Sequence, residues 1–348
     1  MKRRPIHHRA TPAAALTVLV VLAGIPVEGS AQAAAPPALD VLAATITEAT
    51  VRTHIAYLAS DALLGRDTPS RGLEDAAAYL ATQHQRAGLQ PAGEGGSFIQ
   101  RYPFADTMVP NVVAMIQGSD PALRDEIVVL SAHMDHVGIG QPVEGDSIYN
   151  GADDNASGTT ALLEVARVLA ALPPDQRPRR SVLFLHISGE EKGLLGSRWW
   201  VRNPTVPIER VVANINVDMV GGDAFPDTVA VLGAEYSTLG PLAHEVSAGL
   251  PELSLTTSRD LWPQEQLFFR SDQLNFMAQE IPALFYFAGL HECYHRPCDE
   301  VDFVSAGKVA RVATLLAHTV YEIANRDARP EWDPQGLAEV RRLISGGG

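Results

Sequence analysis

Cysteine is almost missing from this chain of 348 residues: there are two, Cys293 and Cys298, in the segment CYHRPC. So few thiols exclude a cysteine-rich structural metal site. Basic residues are also in deficit. Lys and Arg number 27 against 41 Asp and Glu, a net charge of −14 with a pI near 5.2. That balance argues against nucleic acid or an anionic membrane surface as the main partner. Long apolar runs are lacking too. Ala13–Ile25 is too short to span a bilayer, which takes ~20 residues. There is no internal repeat and no linker long enough to split a core, and 46% hydrophobic with 20% charged residues is ordinary globular composition.

The first residues read as a secretory signal peptide over 1–33. Lys2, Arg3, Arg4 and Arg9 precede the apolar run, and Ala31-Gln32-Ala33 supplies a small-residue cleavage site. The expected destination is the periplasm or the outside of the cell, with no membrane attachment after cleavage. In that oxidising setting the close cysteine pair reads as a disulfide, two free thiols being the alternative. A bridge over so short a loop adds little global stability. Its use would be to hold His295, which lies inside it.

Residues 34–45 look like a flexible leader, 46–326 like one folded domain, and 327–348, rich in Pro, Gly and charge, like a tail. Within the domain, Ile127–Ala132, Val182–Ile187, Val211–Val217 and Ala283–Ala288 are apolar without alternation, as strands buried on both faces are. Asn111–Ile116 is expected to pair with the first of these through a turn near Gly118. Helical patterns at Leu73–Ala87, after Gly158 and over Val304–Asn325 alternate with the strands, which predicts an α/β fold with a mostly parallel sheet.

Open α/β sheets place their chemistry beyond the carboxyl ends of the strands. Three of these strands end in residues that bind metals. Ile127–Ala132 leads to His133 and Asp135, Val182–Ile187 to Glu190 and Glu191, and Val211–Val217 to Asp218. With Asp153 and His295 the candidate ligands become His133, Asp153, Glu191, Asp218 and His295. Two imidazoles and three carboxylates suit zinc or another first-row divalent ion. Five donors exceed what one tetrahedral ion with an open position needs, and suit two ions that share a carboxylate. Glu190, beside Glu191 on a small-residue turn, is then free to act as general base. Each element alone has a plainer explanation: a surface turn, a solvated acidic face, or helix caps in Asp153-Asp154-Asn155.

The motifs SAHMDHVG (131–138), NGADDNASG (150–158), SGEEKGLLGS (188–197), NVDMVG (216–221) and YHRPCD (294–299) resemble those of the M28 family of zinc aminopeptidases, in that family's order and spacing. The resemblance covers roughly residues 46–325. It implies a three-layer α/β/α sandwich around a mixed, mostly parallel sheet, two zinc ions and a peptide substrate. By position, Asp153 would bridge the ions, with His133 and Asp218 on one and Glu191 and His295 on the other. Glu190 would take the proton of the shared water and pass it to the leaving amine. Asp135 would fix the His133 ring, Asp299 would orient His295, and Tyr294 is a candidate oxyanion donor. The peptide between Asp153 and Asp154 would be cis.

One departure stands out. In FFRSDQLNF (268–276), Gln273 takes the place of a His found in many relatives, which bears on the substrate-side pocket. His136 and His291 are expected near the site. His186, Trp199 and Trp200 are expected in the packing. A glutaminyl cyclase on the same scaffold, or a carboxypeptidase or dipeptidase-like hydrolase, is the competing enzyme class. A metal-free binding module would show missing ligands. The oligomeric state does not follow from the sequence.

Overall fold

The computed structural model describes residues 37–346, so the expected signal peptide lies outside the described residues. A sheet of nine strands organises the chain. In chain order the strands are β1 (Gln90–Pro91), β2 (Ile99–Phe104), β3 (Thr107–Ile116) and β4 (Ile127–His133), then a separate hairpin of β5 (Gly138–Val143) and β6 (Asp146–Tyr149). They continue with β7 (Ser181–Ile187), β8 (Val211–Asp218), β9 (Thr228–Leu232), β10 (Thr256–Ser258) and β11 (Ala283–Phe287). The sheet runs β1-β3-β7-β4-β8-β11-β9-β10, with β2 also on β3. Its centre, β7-β4-β8-β11, is parallel, and antiparallel partners flank it.

The central strands are buried along their whole length, and successive residues feed opposite layers. Val128, Leu130, Ala132, Val182 and Phe184 face one core, and Ile127, Val129, Leu183, Leu185 and Ile187 the other. The first core is closed by α2 (Glu48–Leu58), α3 (Arg71–Arg86), α4 (Gly158–Ala170), α6 (Leu239–Ala248) and α8 (Ala306–Asn325). The second is closed by α5 (Leu195–Arg202), through Trp200, and α7 (Gln273–Met277), through Phe276. Helices on both faces of a mixed, mostly parallel sheet make the three layers expected. Among the described residues, no helix is long and apolar enough to cross a membrane.

Three expectations fail. The strand β3 does not pair with β4, because β4 gives its two edges to β7 and β8. It lies instead antiparallel to β7, and the chain between β3 and β4 must cross the end of that strand. The leader holds a helix, α1 (Pro37–Ala43), whose Leu39 is fully buried in the first core. The tail holds another, α9 (Pro334–Gly346), with Val340 fully buried beside Phe268 and Met277 in a third apolar cluster. Trp332 Nε1 donates to the Glu280 carbonyl at 2.7 Å, which ties that segment to the body. Neither segment carries a long apolar pattern, and one or two buried side chains are enough to dock a short helix.

His186, on the buried β7, meets His84 of α3 as a core pair, Nε2 to Nε2 at 2.8 Å, with neither Nδ1 hydrogen-bonded. Burial drives His84 down to about 3, and burial and then His84 hold His186 well below the usual range. Both rings are neutral in the fold, while an unfolded chain titrates near 6.5. Their contribution is therefore complete above about pH 6.5 and lost as pH falls, at roughly 1.4 kcal/mol per pH unit for each ring. The double variant H84L/H186L is expected to flatten the pH dependence of unfolding free energy between about pH 7 and about pH 5, relative to the parent. Urea unfolding with chelator present measures it, and parallel curves for the two proteins would rule the pair out as the cause.

Candidate metal centre

Four of the expected ligands come together beyond the carboxyl ends of β4, β7 and β8. His133 closes β4, Asp218 closes β8, Glu191 follows the turn after β7, and His295 comes from the loop after β11. The carboxylate at their centre is that of Asp154, one residue beyond the Asp153 expected. Its Oδ1 lies 3.3 Å from His133 Nε2, which is 3.2 Å from Asp218 Oδ1. Its Oδ2 lies 3.1 Å from His295 Nε2, which is 3.1 Å from Glu191 Oε2. His136 joins that second group, with Nδ1 3.0 Å from Glu191 Oε1. One carboxylate thus faces two donor groups, His133–Asp154–Asp218 and His136–Asp154–Glu191–His295.

The shift from Asp153 to Asp154 has a local cause. The segment Ala152–Ser157 is an irregular turn, and its cis peptide joins Asp154 to Asn155, not Asp153 to Asp154. The carboxylate of Asp299 accepts the backbone N–H of Asp153 at 2.8 Å and that of Asp154 at 3.0 Å. Asp299 therefore holds this turn, and does not orient His295. Asn155 locks the far side, donating to the Val217 carbonyl and accepting from Gly158 N. In this conformation Asp153 points away from the cluster, where Oδ1 accepts from Gly221 N at 2.7 Å and Oδ2 lies 3.2 Å from His291 Nε2.

Asp135 also differs from expectation. It is its carbonyl oxygen that sits 3.2 Å from His133 Nδ1, with the carboxylate further off at 3.7 Å. The carboxylate accepts instead from Gly189 N at 2.8 Å, Glu190 N at 3.3 Å and the Thr68 hydroxyl at 2.9 Å. It fixes the turn that carries Glu190. Glu190 lines a cleft with His133, Asp154 and Asp218, whose apolar walls are Met219, Leu267, Phe285, Phe287 and Leu290, with Arg270 and Ser271 also facing it. Tyr294 lines it too, stacked on His295 at a ring separation of 3.9 Å. Cys293 and Cys298 form a disulfide around that pair.

Crowded buried carboxylates dominate the electrostatics. Burial lifts the Glu190 carboxyl well above its usual range, and Asp272 and Asp218 add to the lift. Burial works against charge on His133 and His295. Even so, Asp218 and Glu190 raise His133, and Asp154 and Glu191 raise His295 to about 10. The donor set attracts positive charge. Its atoms also fit a cation: His136 Nδ1, His295 Nε2 and Glu191 Oε1 are buried, converge, and have no hydrogen-bond partner. Buried polar atoms in that state are rare without a ligand to satisfy them.

Arg66 is a component that the sequence did not bring out. Its guanidinium, 1% exposed, donates to the carbonyls of Met134 (2.9 Å), Asn150 (2.7 Å), Gly151 (2.9 Å) and Leu58. One side chain thereby joins the loop after β4 to the loop before Asp154. Burial lowers it to about 10, so it stays charged, facing Asp299, Asp135, Asp154 and Glu191. The one sequence signal was a charged residue inside the apolar-flanked LLGRD.

The comparisons with known proteins agree with this picture. The family model "Peptidase family M28" matches residues 111–320. The chain belongs to that family. The aminopeptidase YwaD of Bacillus subtilis is 28% identical over 59% of this chain and 43% of its own length. This chain spans less than half the length of the first curated relatives it matches. The Legionella pneumophila LapA aminopeptidase shares the fold, with a TM-score of 0.64 at 18% identity over 83% of this chain and 75% of that one. Porphyromonas gingivalis glutaminyl cyclase shares it too, with a TM-score of 0.60 at 18% identity over 79% and 97%.

A buried carbonyl left without its donor costs ~1–3 kcal/mol. Arg66→Lys supplies a single ammonium in place of the forked guanidinium and cannot reach all four carbonyls. It is expected to lower the unfolding free energy by about 2–4 kcal/mol, as read from urea midpoints. A loss under about 0.5 kcal/mol would mean the loops do not depend on this clamp.

Proposed function

We propose that the protein is a secreted zinc aminopeptidase that removes residues from the free N-terminus of peptides. The observation that carries this is the Asp154 carboxylate, with one oxygen toward each of two donor groups. His133, Asp154 and Asp218 would hold one zinc ion, and Asp154, Glu191 and His295, with His136 as a further donor, a second. Zinc held there would supply Lewis acidity toward a scissile carbonyl and a lowered pKa for bound water.

The protein's own groups carry the rest. Glu190 borders the donor groups without belonging to either, and its raised affinity for protons suits a group that takes one from water and gives it to the departing amine. The N–H bonds to Asp135 hold the Glu190 turn, so the base needs little rearrangement to act. The Tyr294 phenol, kept protonated by burial, is a candidate donor to a developing oxyanion. The apolar cleft wall receives the side chain of the N-terminal residue. Membership of M28 and likeness to the aminopeptidases YwaD and LapA support the reading. Secretion rests on the sequence of residues 1–33.

Mature protein should cleave short peptides with free N-termini and spare the same peptides acetylated, losing activity to a chelator and regaining it with zinc. Equal cleavage of both sets would sink the aminopeptidase assignment. Release of ammonia from N-terminal glutamine without peptide cleavage would favour the cyclase fold-mate.

Two substitutions test the roles. Glu190→Gln should lower kcat by ~10²–10⁴ while zinc still binds at the parent stoichiometry. Asp154→Asn should lose bound zinc at both loci in equilibrium dialysis, whereas Asp153→Asn, outside the donor groups, should retain it. The reverse order of the two aspartates would return the bridging role to Asp153.

A further inference from the structure

Gln273 does not reach the cleft. It is fully buried at the start of α7, behind Ser271 as seen from the donor groups. Its Nε2 donates to the Phe268 carbonyl at 2.8 Å and its Oε1 accepts from Asn216 Nδ2 at 2.8 Å. Asn216 Nδ2 also donates to the Ser271 hydroxyl at 3.0 Å, and Ser271 Oγ donates to Asp218 Oδ2 at 3.1 Å. On the other side of Asn216, Ser131 Oγ donates to its Oδ1 at 2.8 Å and accepts from Asn214 Nδ2 at 2.9 Å. Every member is buried. This relay joins β4, β8 and the start of α7, and ends on one oxygen of Asp218, whose other oxygen faces His133 Nε2.

The direction of each bond follows from one anchor. A backbone carbonyl only accepts, so the group that Gln273 turns toward Phe268 must be its amide nitrogen. Its oxygen then faces Asn216, which must answer with N–H. That sets the Asn216 amide, leaves its oxygen for the Ser131 proton, and spends its second N–H on Ser271. The Ser271 hydroxyl, already accepting, keeps its own proton for Asp218. A neutral histidine on the same carbonyl would keep this order, but a protonated ring donates from both nitrogens and would reverse the bond to Asn216. A glutamine anchored on a carbonyl leaves one arrangement.

We infer that Gln273, through Asn216 and Ser271, is a positioning residue that sets the polarity of a buried relay and so delivers a fixed donor to Asp218 Oδ2, holding Oδ1 free for a metal ion. The inference rests on the proposed metal role of Asp218. Outer partners of metal ligands change affinity by ~10–100-fold when removed. The substitutions are therefore expected to act on zinc affinity out of proportion to their effect on stability.

The test is zinc dissociation measured by competition with a chromophoric chelator, beside the urea stability of the metal-free proteins. Ser271→Ala and Gln273→Met should each weaken one of the two zinc equivalents about tenfold or more. The double variant should be no weaker than the worse single, because both break one relay. Ser181→Ala removes a hydrogen bond of comparable length, to the Arg124 carbonyl at 2.6 Å, at the end of β7 remote from Asp218. It should alter stability alone.

Zinc affinities within about twofold of the parent for Ser271→Ala, or effects that multiply in the double variant, would overturn the relay. Should Gln273→Met not fold, Ser271→Ala, which removes a single oxygen, decides alone. A parent protein that binds no zinc would instead remove the proposed function, a result distinct from failure of the relay.

Discussion

The structure is built around an electrostatic problem: several carboxylates are buried within reach of one another at the carboxyl ends of the central parallel strands. Asp135, Asp153, Asp154 and Asp299 are all nearly inaccessible, with Glu190, Glu191 and Asp218 beside them. Buried charge is costly unless it is hydrogen-bonded or paired. Most of the local architecture supplies what these groups need. Asp299 takes two backbone N–H donors, Asp135 takes two more and a hydroxyl, and Asp153 takes the N–H of Gly221. Arg66 adds a buried positive charge whose hydrogen bonds all go to carbonyls, so it offsets the negative field without neutralising any one carboxylate. Unsatisfied atoms remain where His136, Glu191 and His295 converge, and also at Asp153 Oδ2, His291 and Asp272 Oδ2.

This division between satisfied and unsatisfied groups separates scaffold from chemistry. A carboxylate saturated with backbone donors has its oxygens committed and its position fixed. Asp154 differs, because its backbone is held by Asp299 while its carboxylate oxygens meet only histidines at 3.1–3.6 Å. The two consecutive glutamates show the same split. Glu191 turns to the histidines, while Glu190 remains at the cleft with a raised affinity for protons. Neighbouring residues can differ in this way only because the turn that carries them is neither helix nor strand.

Much of the frame was legible in the sequence, because it rests on simple patterns. Unbroken apolar runs mark strands with helices on both faces, and ligand residue types fell at the ends of successive runs. His133, Glu191 and Asp218 could be gathered on that ground, and His295 from its place in the YHRPCD motif. The choice between Asp153 and Asp154 could not. It depends on an irregular turn whose two N–H groups bond to a residue 146 and 145 positions away, and no local propensity records such a contact. The pairing of β3 was lost for a similar reason, since hairpin proximity is a prior that β7 overrode. The sequence marks Gln273 as a departure but does not show that it turns to Phe268 and Asn216, because a motif fixes a residue's place in the chain and not its side-chain direction.

Backbone conformation shows the same limit. Arg66, Met219 and His295 all adopt positive φ, near 49°, 49° and 53°. For residues with a Cβ this left-handed region costs of order 1 kcal/mol each and persists only where surroundings over-determine it. For Arg66 the surroundings are four carbonyls. For Met219 they are the Asn155 oxygen on its N–H and burial of its side chain in the third cluster. For His295 they are the Tyr294 ring and the closed loop from Cys293 to Cys298. All three flank the donor groups and are held by cross-links from outside, while other positive-φ residues, such as Ala105, Glu144 and Ser254, sit in turns away from the site. A glycine at any of them would relieve the strain and forfeit the side chain that the site uses. The conflict between local preference and global arrangement is thus resolved in favour of the site, at the positions where a reader of sequence has least to go on.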